Sequence, residues 1–324
     1  MADHAVDDGF DGDIFIYRGG RAPQHITHAR IDESVDEIED YAFYVCRNLL
    51  TVDTHDGIRK VGKRAFSACS SLRLINLKST VEIGDDAFGN CENLEFVEFG
   101  DRLETIGNAL FFQCKSLSHI KLSSIITIGA SAFFQCKRLT DIEFSERLET
   151  MRINAFHSCV CLRRIALPLR RDLFDFHDFY HKYTQFENCG QLSTVDLVGG
   201  THKAVASLHM GSWRAEMSSE INRINQILPN TPADDKTGVI RQWMHSVIDK
   251  MDHYKAEHYR YVKEGTTLLE LALWKAKLDE KEESSEEGKA KKAKVDADST
   301  RKERRIMCGA DIVIKNVLPF LQLV

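Results

Sequence analysis

The spacing Phe-x-x-Cys occurs seven times before residue 190, at Phe43/Cys46, Phe66/Cys69, Phe88/Cys91, Phe111/Cys114, Phe133/Cys136, Phe156/Cys159 and Phe186/Cys189. Successive cysteines stand 23, 22, 23, 22, 23 and 30 residues apart. Three residues after each Cys is a Leu, from Leu49 to Leu192, and three further on is a Val or Ile, from Val52 to Val195. An apolar residue sits five before each of the first six Phe, from Ile38 to Met151, and Gly follows it at Gly62, Gly84, Gly107 and Gly129. A fixed period with aligned columns means stacked copies of one small unit. No unit this short buries its own apolar face, so each depends on its neighbours.

The unit reads as a short turn or helix around Ala-Phe-x-x-Cys, a strand of the form Leu-x-x-Ile-x-Leu, and a polar return. Alternation along the strand buries the Leu and Ile columns and exposes the residues between them. Neighbouring strands then stack in a parallel ladder at about 4.8 Å per rung. The Ile-Gly, Ala-Phe, Cys, Leu and Ile-x-Ile pattern resembles the BspA-like leucine-rich repeat family over roughly residues 26–200. That resemblance implies an α/β repeat fold, a parallel-strand solenoid of about seven to eight units of 22–23 residues, followed by an all-helical C-terminal tail that brings no known activity. Ile26 to Ile31 aligns as the first rung, with Ile14 to Tyr17 and Gly19-Gly20 expected to turn back and cap it. Three departures stand out. The Pro usual after the strand is replaced by Lys78, Gly100, Ser123 and Ser145, with only Pro168 conforming; Leu110 replaces Ala; and the insertion Arg170 to Gln185 is expected to disturb the last rung and bulge from one face.

The pattern divides the chain into an N-terminal extension and cap (1–25), the solenoid (26–200), a helical region (201–280), a charged linker (281–300) and a C-terminal helix (301–324). Beyond Gly199-Gly200 the period becomes helical: Met210, Trp213, Met217, Ile221, Ile224 and Leu228 trace one face, and Thr231 with Pro232 reads as the start of the next helix. That helix carries Ile240, Met244, Val247, Met251, Tyr254, His258 and Tyr261, and a third is expected after Gly265 with Leu268, Leu269, Leu271, Leu273 and Leu278. A last one holds Ile306, Ala310, Val313, Val317 and Leu321. These helices read as a bundle on the solenoid's open end, with a homodimer through the C-terminal helices as the other arrangement. Between the last two helices, acidic residues from Asp279 are followed by basic residues from Lys289 to Arg305, spaced like a bipartite nuclear-import signal.

The composition, 43% hydrophobic and 28% charged over 324 residues, is that of a globular protein. A formal charge of -6 gives no reason to expect broad binding to nucleic acid or acidic membrane. The longest uncharged stretch, Leu122 to Cys136, falls short of the roughly 20 residues a membrane helix needs. The acidic start, Met1 to His4, lacks the basic and apolar regions of a signal peptide, so an intracellular, cytoplasmic location is expected, with nuclear entry through Lys289 to Arg305 as the alternative. Reduced thiols follow from that location.

Seven of nine cysteines fall in one column, which in a parallel ladder is a file of small buried side chains. Cys159 belongs to that file, so His157-Ser158-Cys159-Val160-Cys161 is a poor metal site, and no metal or cofactor is expected. His245, Asp249, Asp252, His253, Glu257 and His258 lie on one helix without a His-Glu-x-x-His or Glu-x-x-His pattern, and read as a solvated face with pairs such as Asp249/His253. No phosphate loop or nucleophile elbow is present in the sequence, so no catalysis is expected.

The outward strand positions form two columns, His28, Thr51, Leu74, Phe96, His119, Asp141, Arg164, Thr194 and Arg30, Asp53, Asn76, Glu98, Lys121, Glu143, Ala166, Asp196. Opposite charges adjoin at Arg30/Asp53, Glu98/Lys121/Glu143 and Asp141/Arg164, predicting ladder ion pairs. Leu74 and Phe96, exposed side by side and rimmed by Glu98, His119, Lys121, Asp141 and Arg164, predict a protein-binding face. Its alternating charge and single aromatic do not suit nucleic acid. The sequence therefore reads as a non-catalytic protein-interaction scaffold with a partner of unknown identity. A nuclear adaptor or regulatory protein, and an enzyme seated in the helical tail, are the alternatives.

Overall fold

The structure, a computed structural model, describes residues 10–11, 13–174, 184–198 and 212–286. The insertion beyond Phe174 up to residue 183, the basic stretch Lys289 to Arg305 and the expected last helix lie outside the described residues. Two compact units are present, one combining the repeats with Ser212–Ile248 and the other beginning at Asp249.

A repeat is built from a main strand, a two-residue strand and a tight turn around its Phe, with single bridges replacing the main strand at His119–Leu122 and the short strand at Phe174. The main strands include His28–Ile31, Thr51–Asp53, Leu74–Leu77, Phe96–Phe99, Asp141–Glu143, Arg164–Pro168 and Thr194–Val198. Those that pair do so in parallel and in repeat register, as in Leu74↔Phe96 and Ile142↔Ile165. Leu74–Leu77 alternates exposed and buried, which is the period-2 pattern of a half-buried strand. The short strands form a second parallel file, among them Lys60–Val61 with Glu82–Ile83 and Thr127–Ile128 with Thr150–Met151. The Gly column lies where these strands leave: a Cβ on Gly62 would stand 2.4 Å from the Asp40 nitrogen, and one on Gly84 2.5 Å from the Lys63 nitrogen. Successive backbones touch there, so no side chain fits.

The turns carry the core. Phe43, Phe66, Phe88, Phe111, Phe133, Phe156 and Phe186 are fully buried, and their rings stack at centroid distances from 4.8 Å (Phe133–Phe156) to 5.7 Å (Phe88–Phe111). Each Phe N–H donates to the carbonyl just before the next repeat's Phe, for example Phe43 to Ala65 at 2.7 Å and Phe111 to Ala132 at 2.8 Å. The residues two before and two after the Phe donate forward as well, Tyr41 to Lys63 and Val45 to Ser67. Both flanking positions have positive φ in repeat after repeat: Tyr41 and Val45, Arg64 and Ala68, Asp86 and Asn90. For a residue other than Gly this left-handed geometry costs about 1–2 kcal/mol, which the inter-repeat hydrogen bonds offset.

The Cys column does more than fill space. Cys69, Cys91, Cys114, Cys136, Cys159 and Cys189 each donate a thiol hydrogen bond to the Phe carbonyl of the preceding repeat, at 3.0–3.2 Å. Cys46 has no earlier Phe repeat and turns to the Pro23 carbonyl at 3.6 Å.

Both ends differ from expectation. Ile14–Tyr17 does not turn back; it pairs in parallel with His28–Ile31 and is itself the first rung, while Phe10–Asp11 runs antiparallel along its outer edge. Tyr17 starts the aromatic file 5.0 Å from Phe43, and its hydroxyl accepts from the Glu39 N–H. At the other end the insertion does not disturb stacking. Arg164–Pro168 and Thr194–Val198 pair over five residues, Phe186 stacks on Phe156, and Leu173 and Phe174 are buried, with Phe174 bridging to Met151 in the second file.

Helix α1 (Ser212–Ile227), a 3₁₀ turn (Leu228–Asn230) and the first turns of helix α2 (Lys236–Glu286) close this last rung. The Phe186 N–H, which finds no further repeat, donates to Thr237 Oγ1, and the Val195 N–H donates to Asn225 Oδ1. Lys236, buried, sends its ammonium to the carbonyls of Leu192 and Leu228, and that burial lowers its pKa. Met217, Ile224, Leu228, Ile240, Trp243, Met244 and Val247 pack beneath, with the Trp243 indole donating to the Glu220 carbonyl. Thr231 is not a helix start: its hydroxyl bonds back to the Ile227 carbonyl, and a turn at 233–235 delays α2 to Lys236, whose side chain is drawn into the rung.

In the second unit α2 runs unbroken past Gly265, where the sequence suggested a boundary. A mid-helix Gly costs only about 1 kcal/mol, and Thr266 and Thr267 bond back to the Lys263 carbonyl. His253 lies 3.9 Å from Glu257 one turn on. Tyr261, Leu268, Leu271, Leu273 and Trp274 are exposed there.

Two outcomes follow from the turns. Phe133→Ala should cost about 3–5 kcal/mol in denaturant unfolding, because both neighbouring rings lose a stacking face. Val45→Asn should stabilise by about 0.5–1 kcal/mol in the same measurement, since a β-branched residue fits φ 63° poorly and Asn already serves at Asn90 and Asn188.

Candidate functional site

The main-strand ladder sets out the predicted face residue by residue. Leu74 and Phe96 stand directly opposite in the parallel register, 58% and 45% exposed, which is high for large apolar side chains on a strand. Beyond Phe96 the ladder is interrupted. His119 is joined to Phe96, and Leu122 to Phe144, by single bridges, and no extended strand forms between Phe99 and Asp141 on this face. A recess of about 440 Å³ opens at the interruption, with Phe96 on one side, Asp141 and Glu143 on the other, His119 and Lys121 between them, and Leu122 and Phe144 among its lining residues. Leu122 and Phe144 are buried, so the floor is apolar and the rim is charged.

The charges pair differently from the column prediction. Arg30 meets Asp53 at 3.7 Å as expected. Glu98 instead takes Lys78 at 2.9 Å, Lys121 lies 3.8 Å from Asp101, and Arg164 bonds Asp196 at 2.6 Å with Glu143 at 3.8 Å. Lys78 and Asp101 sit in the turns just past the strands, outside the columns, close enough to pair with the strand charges. Asp141 has no side-chain ion pair or hydrogen bond among the described residues, so its predicted bond to Arg164 does not form. The pairs that do form are largely exposed and contribute about 0–1 kcal/mol each. Ala166, counted among the outward positions, is 1% exposed and belongs to the core.

The cysteine file is chemically quiet. Burial pushes the Cys46 thiol up to about 11 and Cys91 to about 12, and raises Cys69, Cys114 and Cys159 as well. The thiolate, which is the nucleophile and metal ligand, is therefore disfavoured. The residues of the His157–Cys161 stretch are drawn apart: Cys159 donates to the Phe133 carbonyl, while the His157 ring stacks on Phe134 at 4.7 Å with Nδ1 3.5 Å from Glu187 Oε2. Among the described residues no three His, Cys, Asp or Glu side chains gather as a metal site. The His245 Nε2–H donates to the Arg171 carbonyl, 3.1 Å away. Among the described residues no helix is long and apolar enough to cross a membrane.

Sequence reasoning located Leu74, Phe96, His119, Lys121, Asp141 and Glu143 on the face but missed the recess and the turn residues Lys78 and Asp101. The strand alternation signals outward positions, whereas the interruption of the ladder leaves no mark in the columns.

The repeats match the BspA type leucine rich repeat region in six copies over residues 22–122 and 75–184. Among solved structures, a leucine-rich repeat protein of Bacteroides ovatus is similar at 21% identity, covering 53% of this chain and 49% of its own, with a TM-score of 0.40. A T. pallidum leucine rich repeat protein is 23% identical over 56% of this chain and 73% of its own, with a TM-score of 0.37. The pneumococcal vaccine antigen PcpA is 18% identical over 56% and 54%, with a TM-score of 0.36. The chain spans about half the length of the Bacteroides protein. No curated protein matches it.

The raised thiols give a checkable outcome. At pH 8 the seven cysteines of the file should resist a thiol-reactive dye in the folded protein and react on unfolding. Because burial raises the folded pKa of Cys46, Cys69, Cys91, Cys114, Cys136 and Cys159 above the ordinary value near 9.0, the stability these six contribute is complete below pH 9 and falls as pH rises toward 11, by about 1.4 kcal/mol per pH unit for each thiol that only the unfolded chain ionises. Denaturant midpoints between pH 7 and 11 measure it.

Proposed function

Since the chain belongs to the BspA-type leucine-rich repeat family, we propose that its interrupted ladder face is a non-catalytic docking surface for another protein. Leucine-rich repeat proteins are commonly interaction or surface proteins and typically non-enzymatic scaffolds. The observation that carries the proposal is the in-register exposure of Leu74 and Phe96 beside a charged recess. A monomeric protein exposes single apolar side chains freely, but an aromatic and a leucine held adjacent by paired strands, beside a charged rim, have the anatomy of an interface hot spot. Rigidity matters here. The strand backbone is fixed by the stacked turns behind it, so little ordering entropy remains to oppose association. The buried, protonated thiols also support a binding role over redox or metal chemistry at the cysteine file.

Affinity capture with the full chain, followed by binding measurement on the protein recovered, tests this. Leu74→Ser combined with Phe96→Ala should weaken the partner by about 30-fold or more, the loss expected of a hot spot, with the thermal melt held as a control for folding. A partner that binds the double variant as tightly as the unaltered chain would remove the face from consideration.

A further inference from the structure

The recess beside Phe96 favours one kind of side chain. Of its charged groups, Lys121 lies toward Asp101 at 3.8 Å and Glu143 shares Arg164 with Asp196, while Asp141 is without a side-chain partner among the described residues. The unanswered charge on this face is thus a carboxylate. Asp141 lies two rungs from Phe96, about 10 Å along the ladder, with His119 at the rung between. Buried Leu122 and Phe144 line the recess. An aromatic face, an apolar lining and a free carboxylate match a long side chain with a planar cationic end: the stem packs on the apolar lining, the cation lies over the Phe96 ring, and its N–H groups reach the carboxylate.

Resting on the docking reading above, we propose that the recess receives a basic side chain, arginine in the first place, from an extended segment of the partner whose apolar neighbour covers Leu74. Arginine suits it better than lysine because its planar guanidinium can stack on Phe96 and present parallel donors to Asp141 at once, and because it sheds water more readily on entering an apolar recess. Glu143 adds negative potential without being spent, since its contact with Arg164 is 3.8 Å long and Arg164 is held more closely by Asp196 at 2.6 Å. An acidic side chain meets the opposite situation, with Asp141 unscreened and Lys121 already directed at Asp101.

The test uses the full chain and two blocked peptides, acetyl-Leu-Ala-Arg-Ala-Leu-amide and the same peptide with Glu in place of Arg, followed by backbone amide shifts. The Arg peptide should move the amides of His119 to Leu122 and Asp141 to Phe144 and bind at least about 10-fold more tightly than the Glu peptide. Asp141→Asn should abolish that preference while Leu74→Ser weakens both peptides alike. Equal binding of the two peptides, a preference that survives Asp141→Asn, shifts confined to other regions, or no shift with either peptide would each overturn the proposal. The two readings fail separately. A partner lost with Leu74→Ser/Phe96→Ala but indifferent to Asp141→Asn leaves the docking face standing without its basic ligand. A recess that selects the Arg peptide while capture ignores Leu74 and Phe96 leaves the reverse.

Discussion

Each repeat is completed by the next. A Phe ring at the centre of one unit has its two faces closed by the rings before and after it, and the N–H beside it is satisfied only by the following repeat. An isolated unit would leave both the ring and the donor in water, so stability exists only between units. The thiol of each Cys, donating backward to a Phe carbonyl while the Phe N–H donates forward, binds neighbours from both directions. The strands on the outer face are positioned by this file and do not themselves hold it together, which is why the main ladder can be interrupted near His119 while Phe111 and Phe133 remain stacked at 5.4 Å.

That division of labour relieves the outer strand face of packing duties. Where the turns carry the packing, the outward strand residues can vary in size and charge without penalty to the core. Leu74 and Phe96 sit uncovered, and the rung at His119 to Leu122 can leave its neighbours far enough to form a recess. Lys121 is matched by Asp101 from a turn one unit away and Glu143 by Arg164, leaving Asp141 without a side-chain partner among the described residues, on a stiff support. The packing and the exposed apolar pair are thus carried by different faces of the same repeat.

Much of this was legible in the sequence because repetition converts weak signals into columns. The Phe, Cys, Leu and Ile files, the exposed pair Leu74 and Phe96, and the helical tail could all be read from spacing. The roles within the columns could not. Nothing in the letter Cys says that its thiol will donate to a carbonyl, nor does the Gly column announce that two backbones meet there. Ion pairs were misassigned because column reasoning treats only strand positions as neighbours, while Lys78 and Asp101 reach in from the turns. Ala166 and the unbroken helix at Gly265 were misread for a related reason: a local pattern was allowed to outweigh its setting in the fold. The recess arises from the absence of pairing, which has no residue signature.

The capping of the last rung has a consequence for solubility. Forward-pointing donors give the stack a direction, with carbonyls and thiols answered at one end and N–H groups left over at the other. Thr237 and Asn225 occupy that end as side-chain substitutes for the repeat that never comes, whereas the antiparallel strand Phe10–Asp11 blocks the first edge. A chain cleaved ahead of α1 would present the bare strand Thr194–Val198 and the Phe186 donor as a template for the start of another copy. Because that contact joins unlike ends, it does not close on itself, and its products would be open fibres instead of discrete oligomers.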